Sequence, residues 1–96
     1  MQFLVVIPRT ENASPSSLRK EDVDAEAELV RQLYAEGLIR HVWLRAEGGA
    51  AMIAEAESNE WVAQALSALP LVRSGYLAQP QVSQLRPYSG FGPRAR

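Results

Sequence analysis

Glu26 is an acid at a position where the local pattern asks for an aliphatic residue. From about Asp22 to Glu36, Val23, Ala27, Val30, Leu33 and Tyr34 recur at the spacing of one helix face, and Glu26 falls inside that apolar arc. Desolvation disfavours an ionised carboxylate and lifts its pKa toward neutrality, which suits a group that takes a proton and gives it back. The alternative is a first-turn glutamate held by the helix dipole, with its head in water. A second set of candidates lies on one predicted strand. Leu38 to Arg45 alternates so that His41, Trp43 and Arg45 share a face opposite Val42 and Leu44. An imidazole can exchange protons with, or donate to, a bound oxygen anion, and a guanidinium can pair with a substrate carboxylate. The plainer reading packs this face in a subunit interface with Trp43 as anchor. Tyr34, two turns after Glu26, either lends a hydroxyl to a pocket or fills core. The candidates are therefore Glu26 and His41 as catalytic residues, with Tyr34, Trp43 and Arg45 as substrate-binding residues.

These side chains need elements to position them. Phe3 to Ile7 is a short β-branched run closed by Pro8, a buried first strand. A polar loop follows to about Lys20, with room for one helical turn after Pro15. Gly37 ends the first helix, Glu47-Gly48-Gly49 turns a hairpin, and Ala50 to Ala56 forms a third strand. Ser58 caps a second helix whose stripe is Val62, Ala65, Leu66 and Leu69, and Pro70 closes it. The last strand runs from about Tyr76 to Leu85, and Pro80 marks it as an edge or a bulge. The order β-α-β-β-α-β predicts an α+β, ferredoxin-like domain over residues 1–86. It has a four-stranded antiparallel sheet with both helices on one face, and residues 87–96 form an extended tail. The other sheet face is left bare. A second copy is expected to cover it, giving a homo-oligomer, a dimeric α+β barrel or an assembly of such dimers.

Composition removes several function classes. The chain has 96 residues, one domain by length, with 47% hydrophobic residues, 22% charged residues and a net charge of −1. No basic excess points to nucleic acid. An RNA-recognition domain shares the strand order but carries stacking aromatics on its third strand, which here reads Ala50-Ala51-Met52-Ile53-Ala54. Without cysteine there is no disulfide or thiolate site, and His41 alone cannot build a histidine-rich metal site. No metal or cofactor is expected. The apolar start lacks a charged leader and stops at Pro8-Arg9, and no run approaches the roughly 20 residues of a membrane span. The expectation is a cytoplasmic protein without a membrane or nucleic-acid partner.

Several segments, in order, resemble the muconolactone isomerase family. They are the opening Met-x-Phe-x-Val strand, Glu26 with a helix ending Glu36-Gly37, and His41-Val42-Trp43, which is similar to the family's His-Leu-Trp. Glu57-Ser58-Asn59-Glu60 and Ala68-Leu69-Pro70-Leu71 follow, so the likeness spans Met1 to Leu85. The resemblance implies a ferredoxin-like fold whose sheets pair into dimers, and a cofactor-independent shift of a double bond in an unsaturated lactone. By this resemblance Glu26 matches the family's glutamate, and His41 falls in its His-Leu-Trp segment. The chain differs from the isomerases in its shorter hairpin at Arg45 to Gly49, in the stretch after Pro70 and in its tail. The expected function is a cofactor-free isomerase or related proton-transfer enzyme acting on a small unsaturated lactone or cyclic ketone, in aromatic catabolism or natural-product tailoring. The alternatives are a non-catalytic ligand-binding or assembly module of the same fold, or a cofactor-free oxygenase.

Overall fold

Strand β1, Gln2–Ile7, buries Phe3, Val5 and Ile7 completely and turns Leu4 and Val6 the other way, as a strand with one covered face must. The computed structural model describes residues 1–90. β1 lies inside a four-stranded sheet with β2 (Ile39–Leu44), β3 (Ala50–Glu55) and β4 (Gln81–Leu85), in the order β2-β3-β1-β4. Every neighbouring pair is antiparallel. Helices α1 (Lys20–Ala35), α2 (Asn59–Ser67) and the short α3 (Pro70–Arg73) complete the ferredoxin-like α+β domain. Phe3, Ile7, Met52, Val62, Leu66 and Leu69 belong to one core cluster, which fills the space between the helices and one sheet face.

Local chemistry explains the boundaries. The Ser58 hydroxyl accepts from the Trp61 amide at 3.1 Å, a standard N-cap for α2. Gly37, at φ 90°, ends α1, and the Leu38 amide reaches back to the Leu33 carbonyl at 3.0 Å. Pro15–Ser17 forms the expected single turn.

Three expectations are corrected. Pro70 does not close α2, which ends at Ser67; it opens α3, where its missing amide costs nothing. The last strand begins at Gln81, just after Pro80, and Tyr76 to Ala78 instead runs beside Pro8 to Thr10. There the Ala78 amide donates to Pro8 (2.8 Å) and the Thr10 amide to Tyr76 (2.9 Å). Tyr34 does not continue the buried arc. It sits about 100° round from buried Leu33 and is 62% exposed.

β2 carries a bulge. Ile39 stands opposite Ala54 and His41 opposite Ile53, so Arg40 is an extra residue. The bulge resets the alternation: Ile39 is buried in the core, yet Val42 and Leu44, not His41 and Trp43, face the helices. Residues 87–90 form neither helix nor strand, and the rest of the predicted tail, 91–96, lies outside the described residues. No helix among the described residues is long and apolar enough to cross a membrane.

Candidate functional site

α1 is anchored at its C-terminal end by Leu33, while its first half stands over an open space. The result is a cavity of about 440 Å³ between α1 and the inner face of β2 and β3, a size that suits a small ring compound. Val23, Ala27 and Val30 of α1 form its roof, and Val42, Leu44, Ala50 and Met52 its floor. Leu71, Tyr76 and Leu77 close one end, and Leu18 from the preceding loop lies alongside. Because the helix does not press down there, Leu44 remains 89% exposed at the rim.

Among the described residues, Glu26 is the single carboxylic acid lining this space. Burial raises its pKa above the ordinary 4.5, and a hydrogen bond from the Leu71 amide partly opposes that rise. The bond, at 3.0 Å, engages Oε1 only; no protein donor among the described residues pairs with Oε2. Leu71 is the second residue of α3, whose cap residue Leu69 has no polar side chain. Glu26 therefore supplies from a distance the acceptor that this helix start lacks.

Tyr76 is the one hydroxyl-bearing residue of the lining among the described residues, and none of them pairs with its hydroxyl. Its backbone is clamped from two sides. The Thr10 amide donates to the Tyr76 carbonyl, Thr10 Oγ1 donates to Gly75 at 2.7 Å, and the Leu77 amide donates to Leu71 at 2.9 Å. The sequence reading placed Tyr76 at the start of a strand and gave it no role. The local signal was a tyrosine directly after Gly75, at φ 86°, but its place in the same cavity lining as Glu26 depends on packing across the chain.

The other candidates lie elsewhere in the protomer. His41 and Trp43 stack on the outer sheet face, ring centroids 5.4 Å apart and 18° from parallel, so the sheet separates them from Glu26. Arg45 folds over its own hairpin, donating to the Gly48 carbonyl at 3.1 Å and pairing with Glu47 at 3.3 Å. Exposed Tyr34 does not line the cavity. One protomer thus places Glu26 and Tyr76 in the lining of one cavity, and does not place His41, Tyr34, Trp43 or Arg45 there. Among the described residues no three acidic or histidine side chains gather as a metal site requires.

The model of the muconolactone delta-isomerase family matches residues 1–89. The chain belongs to that family. Among solved structures, this family member is similar to muconolactone isomerase, at 24% identity over the whole of both chains with a TM-score of 0.68. It is also similar to 5-chloro-2-hydroxyhydroquinone dehydrochlorinase from Burkholderia phenoliruptrix AC1100, solved with 2,5-dihydroxybenzoquinone. That match has 22% identity and a TM-score of 0.70, and covers 90% of this chain and 94% of the other. No individually curated protein matches in sequence. Both structural relatives share the fold, and both are enzymes acting on small molecules.

Proposed function

We propose that this family member is a cofactor-independent proton-transfer enzyme, an isomerase of a small unsaturated lactone or cyclic ketone, with Glu26 as its base. One observation carries the reading: a carboxyl, raised in pKa, with one oxygen that no described protein donor engages and no second carboxyl beside it among the described residues, lines an apolar cavity of ring-compound size. In the proposed reaction Glu26 takes the proton from the carbon next to the carbonyl. The released electron pair spreads over the carbonyl oxygen and the adjacent double bond. Glu26 then returns the proton to the far carbon, so the double bond shifts with no net oxidation and no co-reactant. Tyr76 is the proposed donor to the oxygen that becomes negative, since a donor aimed at developing charge lowers such a barrier.

The test follows a β,γ-unsaturated butenolide and a cyclohexenone in D₂O by NMR, reading double-bond shift and deuterium incorporation. The folded Glu26→Gln variant is expected to lose about 10²-fold or more in kcat, the low end for a positioned base. Turnover at the wild-type rate in that variant removes the assignment.

The Leu71 hydrogen bond favours a second reading, in which Glu26 only caps α3 and the cavity holds a ligand without reaction. That reading requires the wild-type protein to bind both rings with no exchange of their protons.

A further inference from the structure

The cavity is built for an uncharged molecule. Among the described residues that line it, Glu26 is the single carboxyl, and there is no lysine, arginine or histidine. A carboxylate entering this space would leave water without a cationic partner and would meet the Glu26 carboxylate at short range. A neutral ring makes neither demand.

The cations at the start of α1 and just beyond β2 are engaged elsewhere. At the start of α1, Arg19 pairs with Glu21 at 3.1 Å and approaches Asp22 at 4.0 Å, and Lys20 pairs with Asp24 at 2.8 Å. Beyond β2, Arg45 is held by Glu47 and the Gly48 carbonyl. A second cavity adjoins the first, sharing Leu18, Leu71 and Tyr76 as a wall, and contains Arg19. Asp22 lines that cavity too, so its ionic side chains balance and it offers no excess of positive charge to an acid.

We infer that the substrate is a neutral, enolisable lactone, enone or quinone-like ring, and that this protein discriminates against the same ring bearing a free carboxylate. The inference rests on the proton-transfer reading for the word enolisable. The charge preference depends on the cavity alone.

The experiment compares one butenolide carrying a carboxymethyl arm with its methyl ester, by calorimetric binding and by turnover at neutral pH. The ester is expected to bind at least about tenfold more tightly than the acid. Two variants sharpen the comparison. Glu26→Gln should narrow the gap by removing the like charge. Val23→Arg, at an exposed roof position, should raise affinity for the acid by introducing the missing cation. Equal binding, preference for the acid, or no binding of either compound overturns the inference. Tight binding of the ester without proton exchange leaves the charge preference standing and overturns the proton-transfer reading instead, so the two failures are distinguishable.

Discussion

Two influences meet at the Glu26 carboxyl, and the larger one is burial, which favours the protonated acid over the anion. The folded protein therefore binds this proton more tightly than the unfolded chain does. Stability from this group is fully present below the ordinary carboxyl value of 4.5 and is lost as pH rises through the higher folded value. Glu21 and Glu47 are shifted the opposite way, so the wild-type profile alone mixes both signs. The difference between wild type and Glu26→Gln isolates the contribution. Thermal unfolding followed by circular dichroism should show the wild type losing stability relative to the variant as pH rises above 4.5. A constant difference across that range removes the buried-acid description. Tyr76→Phe is expected to lower kcat roughly 10- to 10²-fold while KM changes less, because the hydroxyl acts on charge that appears only during reaction. An unchanged kcat assigns Tyr76 to the cavity wall alone.

At the scale of elements, α1 is two half-helices with different tasks. Its second half packs through Leu33, with Leu29 and Val30 partly covered; its first half roofs a space. Leu33→Ala is expected to cost about 2–5 kcal/mol in urea unfolding, as for other buried leucines. Val23→Ala should stay within about 0.5 kcal/mol. Similar costs at the two positions would mean that the helix packs evenly along its length. The sequence shows which side of this helix faces inward, and Glu26 on that side was legible from spacing. It cannot show how far the helix stands from the sheet, because that distance depends on Leu71, Tyr76 and Leu77 arriving from the other end of the chain. Strand order, the Ser58 cap and the Gly37 stop were equally legible, since each rests on local chemistry. Tyr34 was misplaced because one residue past Leu33 turns it out of the arc. The bulge at Arg40 escaped notice because both neighbouring stretches alternate normally.

At the scale of the whole molecule, the outer sheet face is only partly polar. Trp43 is 55% exposed, Leu4 40% and Leu85 39%, with half-buried Val6 and Ile53 between them. Apolar side chains grouped in this way mark a contact surface. The expected outcome in sedimentation velocity is a self-associated wild type, with Trp43→Glu weakening association by roughly 30-fold or more, as loss of an interface anchor does. A wild type that sediments as a monomer at micromolar concentration would falsify the pairing of two such sheets. The same face holds the stacked His41 and Trp43, and a single residue keeps them there. Were the bulge lost with Arg40 kept in the ladder opposite Ile53, the imidazole and indole would turn toward the helices and Val42 and Leu44 outward. One bulged residue thus separates an aliphatic pocket floor from one carrying an imidazole and a flat aromatic surface. A shift of pairing in β2 therefore changes the floor of the pocket without a substitution on it.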